Sequence, residues 1–138
     1  MRVMIDTNVF LDVMIRREAF YDSARRILSL CEKGDLQGFV SASSVTDIFY
    51  LVRRQLHSTE QAYQALGAML KIAKVLPVTN EEVLSAYLQK APDFEDCLLA
   101  VCAISNQCDV IVTRNQKDFR SLGIPAVSPD ELLQKLEI

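Results

Sequence analysis

The chain has 138 residues, of which 50% are hydrophobic and 24% charged, and its formal net charge is −3. This length and composition are typical of one globular domain, residues 1–138, and the negative net charge argues against a surface coated with phosphate-binding charge. No apolar run approaches the roughly 18–20 residues of a membrane span, and the N-terminus turns acidic too early for a signal peptide, so we expect a cytoplasmic protein without a membrane partner.

The first predicted element is a strand near Arg2–Ile5, followed directly by Asp6-Thr7-Asn8. Apolar residues resume after Asn8 and predict a helix that either Asp6 or Asn8 can cap, and we expect Asn8 to do so. A carboxylate one residue beyond a buried strand needs a stronger partner than water, which makes Asp6 a candidate functional residue. Asp12, one turn further on, is expected on the helix surface.

A second acid follows the next strand. Apolar residues at helical spacing predict a helix around Phe20–Cys31, and a strand is predicted near Gly38–Ser41. The segment Ser44–Asp47 has the spacing of a capping box, so we expect a helix to open there. Because the following stretch Ile48–Val52 is apolar and must be largely buried, the carboxylate of Asp47 is tied either to the backbone or to a cation.

The second half of the chain continues to alternate strands and helices. Helices are predicted over Gln61–Ala73, Glu82–Lys90 and Pro129–Leu136, and strands near Val75–Val78, Asp109–Thr113 and Ala126–Val127. Such alternation predicts right-handed crossovers and a parallel sheet with helices on both faces. The predicted fold class is α/β: a single domain with a central, mostly parallel sheet of about five short strands flanked by helices, in a Rossmann-like three-layer arrangement.

The third acid follows a proline break. Asp93, next to Pro92, is placed to cap a helix in which Asp96 holds the third position. Spacings of three, four and seven residues put Asp96 on one helix face with the apolar residues Leu99, Ala100 and Ala103. We therefore expect Asp96 to point into the protein and Glu95 to face solvent.

The fourth acid lies in the polar segment 113–119, after the most strongly β-branched run of the chain. Thr113 and Asn115 offer neutral oxygen atoms, Arg114 and Lys117 offer positive charge, and Asp118 offers a carboxylate. A polar loop in which Asn115 caps a short helix is the alternative interpretation.

These acids are expected to meet at one place. Open α/β sheets form their sites outside the carboxyl ends of the strands, which brings Asp6, Asp47 and Asp118 to one edge, and Asp96 joins them from a helix start. Converging carboxylates repel one another unless a cation neutralises them, and hard cations prefer oxygen ligands. The sequence therefore predicts a site for Mg²⁺ or Mn²⁺.

Other classes of site are disfavoured. The four cysteines contain no C-x-x-C pair, so we expect core packing rather than a zinc site. The single histidine, His57, falls at a predicted helix end, which argues against a serine or cysteine catalytic triad. The four glycines form no glycine-rich loop after a strand, which argues against a Rossmann nucleotide site. Haloacid-type phosphatases also place an aspartate after the first strand, but here Asn8 stands where their second aspartate is expected.

Four motifs together resemble the PIN domain over nearly the whole chain, in the order and spacing of that family. They are Asp6-Thr7-Asn8, the serine-rich turn leading to Asp47, Phe94-Glu95-Asp96 and Thr113-Arg114-Asn115-x-x-Asp118-Phe119. The resemblance implies a small metal-dependent ribonuclease with a catalytic set of four acids: Asp6, Asp47, Asp96 and Asp118. It also implies that Asn8, Thr113 and Asn115 hold the geometry of the site.

The expected activity is cleavage of single-stranded RNA by an endoribonuclease that is the toxin of a toxin–antitoxin pair. In this hypothesis Asp6 and Asp96 are the primary ligands of Mg²⁺ or Mn²⁺, Asp118 holds a second ion or an outer-shell water, and Asp47 orients water. Arg114 or Lys117 contacts a phosphate, and Asp93 supports the site as a helix cap. The implied partners are an RNA substrate, a cognate antitoxin and a second copy of the chain.

Asp47 departs from the pattern of most PIN domains, in which the second acid is glutamate. A branch of toxin-like members, with a stretch similar to residues 46–50 of this chain, also has aspartate there. The shorter side chain leaves a second hypothesis open, namely a catalytically silent PIN-like module that binds RNA or a protein partner.

Overall fold

The structure is a computed structural model that describes residues 1–137; Ile138, the last residue of the predicted domain, lies outside the described residues. The strands are β1 (Arg2–Ile5), β2 (Gln37–Ser41), β3 (Ala73–Leu76), β4 (Val110–Val112) and β5 (Ala126–Val127). The helices are α1 (Thr7–Met14), α2 (Glu18–Lys33), α3 (Ala42–Leu56), α4 (Thr59–Ile72), α5 (Asn80–Gln89), α6 (Phe94–Ser105) and α7 (Pro129–Leu136), with a 3₁₀ helix at Gln116–Phe119.

The described strands form one parallel sheet with the order β3-β2-β1-β4-β5. The central strand is β1, where Met4 lies opposite Phe39 of β2 and Ile111 of β4. Its apolar residues are fully buried because helices cover both faces, which is why its sequence is continuously apolar rather than alternating. The predicted α/β class and parallel sheet are confirmed.

The helices begin and end where local chemistry stops them. The buried positions of α2 recur at helical spacing, and the helix ends at Gly34, which adopts a left-handed conformation with φ of 87°. Pro129 occupies the first turn of α7, where Ser128 and Glu131 form a capping box. The four cysteines are buried and free, as predicted. Among residues 1–137, no helix is long and apolar enough to cross a membrane.

The start of α3 differs from the prediction. The hydroxyl of Ser41 accepts a hydrogen bond from the backbone N–H of Ser43 at 3.3 Å, so the helix begins at Ala42. The prediction that Asp47 opens the helix is therefore wrong, because the serine nearest the strand satisfies the first free N–H groups before Ser44 can. Asp47 lies in the second turn, roughly 7.5 Å of helix rise beyond Ala42.

One close approach in the sheet gives a testable consequence. A Cβ atom added at Gly38 in β2 would lie 2.8 Å from the Sγ atom of buried Cys31. We predict that Gly38→Ala lowers the free energy of unfolding by about 1–3 kcal/mol, because the thiol side chain must shift within a packed core. Urea unfolding measures the change, and adding Cys31→Ala should recover part of the loss.

Gly67 in α4 is the matched control, since nothing lies within 4 Å of a Cβ atom built there. Gly67→Ala should raise the free energy of unfolding by up to about 1 kcal/mol through helix propensity. Equal effects of the two alanine substitutions would contradict the close packing of β2 against α2.

Candidate active site

Asp6 lies at the carboxyl end of β1 and caps α1. Its backbone N–H donates to the carbonyl of Val112 at 3.0 Å, which extends the β1–β4 pairing to the site. Its Oδ1 atom accepts from the N–H of Thr7 at 2.8 Å, and its Oδ2 atom accepts from the hydroxyl of Thr113 at 2.8 Å. The expectation that Asn8 caps this helix is wrong, because the carboxylate one residue before the helix captures the free N–H first.

Thr113 connects the two strand ends. Its buried hydroxyl donates to Asp6, and the same oxygen accepts from the side-chain amide of Asn8 at 3.2 Å and from the N–H of Asn115 at 3.1 Å. Asn8 also accepts from the N–H of Arg114 at 3.3 Å through its Oδ1 atom. The hydroxyl and the amide together fix the segment after β4 against the start of α1, which holds the Asp6 carboxylate in one orientation.

Asp96 is the third residue of α6, and its N–H donates to the Oδ1 atom of Asp93 at 3.0 Å, as the predicted cap requires. Its carboxyl group is half-buried in a cavity of about 330 Å³ whose walls include Asp93, Lys117 and Asp118. Burial, with the negative charges of Asp93, Asp6 and Asp118, raises the pKa of Asp96 to about 6. The start of α6 thus brings the carboxylate of Asp96 near enough to Asp6 for their negative charges to interact.

The surroundings of Asp6 have opposing effects on its pKa. Burial raises its pKa, whereas the hydrogen bonds from Thr113 and Thr7 lower it, the charge of Asp118 raises it and the charge of Arg114 lowers it. Since Asp6 and Asp96 both respond to Asp118, the three carboxylates share one negative potential at the carboxyl edge of the sheet. A cation entering this edge would be attracted by all three.

Asp47 and Glu95 form the outer part of the acidic region. Both are exposed, as predicted for Glu95, yet the pKa of Glu95 is raised by burial and by the charges of Asp47, Asp93 and Asp6. The charges of Asp47 on α3 and of Asp6 thus both act on Glu95. The sequence alone gave Glu95 no role, because Asp47 and Glu95 lie far apart in the chain and only the tertiary fold makes the charge of one act on the other.

The donor set fits a hard cation, but not as a closed cage. Within residues 1–137, no group of three or more His, Cys, Asp or Glu side chains is close enough to hold a metal ion. Mg²⁺ commonly retains several waters and takes only one or two protein carboxylates, so the Asp6 and Asp96 oxygens suit it. The chemistry of the donors is therefore compatible with the expected cation.

Asp12 is the clearest correction to the sequence analysis. The prediction of a surface position is wrong, because its side chain is 0% exposed. Its Oδ2 atom accepts from Nε of Arg114 at 2.7 Å and its Oδ1 atom from Nη2 of Arg114 at 3.1 Å, while Arg17 approaches at 3.4 Å. The segment after β4 brings this guanidinium over α1 and covers the aspartate.

Arg114 is consequently committed to the protein. Its guanidinium forms a bidentate pair with Asp12 and lies 3.9 Å from the centroid of the Phe20 ring. Because two of its nitrogen atoms donate to the buried carboxylate of Asp12, Arg114 has little freedom to turn toward a phosphate. Lys117, which is exposed beside Asp96 and Asp118, is the better placed of the two predicted phosphate contacts.

A family model described as the PIN domain matches residues 2–117. The chain belongs to the PIN domain family. Membership of this family supports a nuclease role, and it confirms the family that the four sequence motifs indicate. A search of curated proteins finds no significant match.

Solved structures of toxin–antitoxin proteins share the fold of this PIN domain. A chain of VapBC2 from Rickettsia felis, bound to a promoter DNA fragment, has a TM-score of 0.69 at 20% identity, covering 93% of this chain and 98% of that one. A toxin–antitoxin complex from Klebsiella pneumoniae gives 0.65 at 20% identity, with coverage of 92% and 97%. The sarcin-ricin loop cleaving toxin VapC20 from Mycobacterium tuberculosis gives 0.64 at 16% identity, with coverage of 79% and 86%.

The Asp12–Arg114 pair should dominate the stability of the segment after β4. We predict that Asp12→Asn lowers the free energy of unfolding by about 3–5 kcal/mol, because it leaves a partly buried guanidinium without its counter-charge. Replacing both partners, as Asp12→Leu with Arg114→Met, should recover most of the loss. The control is Asp22→Asn, which removes an exposed ion pair with Arg25 and should change stability by no more than about 0.5 kcal/mol. Urea unfolding that ranks the two single variants equally would refute the assignment.

The raised pKa of Asp96 predicts a pH-dependent cost. In the folded protein its pKa of about 6 exceeds the ordinary 3.8, so this group stabilises the fold below about pH 4, and that contribution is lost as pH rises through about 6. Asp96→Asn should therefore raise the melting temperature of the metal-free protein at about pH 7.5, and the gain should shrink toward about pH 4.5. Asp35→Asn, in an exposed turn, is the control. A gain that does not depend on pH would contradict the electrostatic origin.

Proposed function

We propose that this PIN domain is a divalent-metal-dependent endoribonuclease that cleaves phosphodiester bonds in single-stranded RNA and is the toxin of a toxin–antitoxin pair. The observation that carries the proposal is the convergence of acids at one edge of the sheet, where Thr113 holds Asp6 and where Asp96 and Asp118 line one cavity. Burial and, to a smaller extent, the neighbouring negative charges raise the pKa of Asp6 and of Asp96. Acids held together at such a cost, in a family of nucleases, are best explained by a cation that they bind.

Asp6 and Asp96 are the residues that would hold Mg²⁺ or Mn²⁺, with Asp118 as an outer ligand. When bound, such an ion lowers the pKa of a coordinated water and stabilises negative charge on a phosphate. Asp6 is suited to the task because its Oδ1 atom accepts only the Thr7 N–H and retains a lone pair. Thr113 and Asn8 keep that carboxylate oriented, so little side-chain freedom is lost on binding.

The rim of the acidic cavity supplies the opposite charge. Lys117 and Arg120 line the same cavity as Asp96 and Asp118. An RNA backbone that approaches the acids would meet these cations first, and their charge-assisted hydrogen bonds suit phosphate oxygens. Asp47 and Glu95, both exposed, would accept hydrogen bonds from water near the scissile phosphate.

A catalytically silent module that binds RNA or protein is the second candidate. Two observations favour it: Asp47 is exposed in the second turn of α3, and the described residues contain no group of three potential metal ligands. Such a module would keep the fold and the basic rim but would lack productive metal binding. Metal binding and cleavage therefore separate the two candidates.

The toxin role is supported by the solved structures that share this fold. The chains from Rickettsia felis and Klebsiella pneumoniae come from toxin–antitoxin assemblies, and the Mycobacterium tuberculosis protein is a toxin that cleaves the sarcin-ricin loop. We infer that a cognate antitoxin is a partner of this chain and that a homodimer is its toxin-like assembly.

Asp6→Asn and Asp96→Asn test the proposed function. Wild-type protein should cleave a labelled single-stranded RNA with Mn²⁺ or Mg²⁺, and each variant should lose at least about 100-fold in rate, because several kcal/mol of charge stabilisation are removed. Millimolar Mn²⁺ should raise the melting temperature of wild-type protein by about 5 °C or more, and this shift should vanish in both variants. Asp35→Asn should behave as wild type in both assays.

The outcomes separate the candidates. A wild-type protein that shows neither a Mn²⁺ shift nor cleavage is the silent module. Cleavage that persists equally in both variants would rule out the acidic site as the catalytic centre. Expression of wild-type protein should arrest bacterial growth whereas Asp96→Asn should not, and harmless expression of an active nuclease would remove the toxin role alone.

A further inference from the structure

We propose that a second pocket at the carboxyl edge of the sheet binds one unpaired nucleobase of the RNA, with Phe20 as the stacking platform. The pocket is bounded by Phe20 and Ser23 of α2, Arg114 after β4, and Ser128 and Asp130 at the start of α7. The inference rests on the proposed function and deepens it, because it names how the substrate is held beside the cleavage site.

The size of the pocket suits a single flat group. Its volume is about 270 Å³, just below the range of roughly 300–1,000 Å³ that accommodates drug-sized ligands. Its walls come from three elements that meet only after folding, the first turns of α2 and α7 and the segment after β4. A heterocyclic base fits such a space, whereas a longer segment of chain would not.

The stacking platform is ordered before any ligand arrives. Phe20 is 43% exposed although it is a large apolar ring, and the Arg114 guanidinium lies 3.9 Å from its centroid. Arg114 cannot swing away, because buried Asp12 holds two of its nitrogen atoms. Bases of single-stranded RNA stack on aromatic rings and on guanidinium planes, and a platform fixed in advance loses little entropy on binding.

The charges in the pocket favour a base over a phosphate. Arg114 directs two of its nitrogen atoms at Asp12, and the carboxylate of Asp130 at the pocket wall would repel a phosphate. Ser23 donates a hydrogen bond to the Oδ1 atom of Asp130, which orients that carboxylate. The Asp130 oxygens can accept hydrogen bonds from the N–H groups that a nucleobase presents on its edge.

The pocket is linked to the cleavage site through one short segment. Arg114 follows Thr113, whose hydroxyl holds Asp6, and the N–H of Arg114 donates to Asn8. Lys117 and Asp118, a few residues further on, line the acidic cavity. Residues 113–118 therefore carry the base pocket and the acidic cavity on one continuous piece of chain, so a base on Phe20 places its neighbouring phosphates toward the acids.

The test is a binding experiment on protein that carries Asp96→Asn, so that RNA stays intact. Fluorescence anisotropy measures the Kd of labelled single-stranded hexamers in which each base in turn is removed to leave an abasic ribose. We expect one abasic position to weaken binding about fivefold or more, as loss of one stacked base does. Phe20→Leu should weaken binding of the intact hexamer by a similar factor and should abolish the extra loss at that position only.

Tyr87→Leu is the matched control. Tyr87 is also exposed, at 56%, and carries the Lys90 ammonium 3.3 Å from its ring centroid, but it lies on α5 outside the pocket. It should leave the abasic profile unchanged. Both rings are at the surface, so melting temperatures should stay close to that of the parent protein.

The outcomes distinguish this pocket from the nuclease itself. Equal losses in Phe20→Leu and Tyr87→Leu, an abasic profile independent of Phe20, or no RNA binding at all would overturn the base pocket. The cleavage assay on otherwise unmodified protein then decides the nuclease proposal separately. Base binding that depends on Phe20, in a protein that cleaves no RNA, would uphold the pocket and remove the nuclease function.

Discussion

Asp6 and Thr113 lie 107 residues apart in sequence and meet through one hydrogen bond of 2.8 Å where β1 and β4 end. The bond exists because the two strands are parallel neighbours at the centre of the sheet, with Ile5 opposite Val112. Parallel pairing brings both carboxyl ends to one edge, and the hydroxyl then fixes the carboxylate that leaves β1. Asn8 and Asn115 attach to the same hydroxyl, so the orientation of the inner acid depends on this contact.

Two acids of this edge, the buried Asp12 and the half-buried Asp96, differ in what balances their charge. Asp12 has a guanidinium at 2.7 Å and serves the architecture of the segment after β4. Asp96 faces other carboxylates, and burial with their charges raises its pKa to about 6, so its ionised form costs stability at neutral pH. The fold thus keeps Asp96 although its charge lowers stability, whereas it pairs Asp12 with a cation. Functional sites commonly show this trade between stability and activity.

Local signals were sufficient for most of the fold. The apolar run of β1, the helical spacing in α2 with Gly34 at its end, and Pro129 at the start of α7 each predict an element that the structure contains. The errors arose where another residue determines the helix start or the burial of a side chain. Ser41 caps α3 ahead of Ser44, and Arg114 buries Asp12 from about a hundred residues away. The periodicity of α1 alone cannot reveal that the guanidinium of Arg114, from the segment after β4, covers Asp12.

The same limit explains the second acidic position. Most PIN domains have glutamate at the second acidic position, and the side chain of Asp47 is shorter than glutamate by one methylene. In the folded chain Glu95, in the first turn of α6, feels the charge of Asp47 and of Asp6. Burial and these negative charges raise the pKa of Glu95, so its charged form is disfavoured unless a cation balances it. Under the proposed function, Glu95 of α6 would add its carboxylate to that of Asp47 of α3 in the outer part of the acidic region.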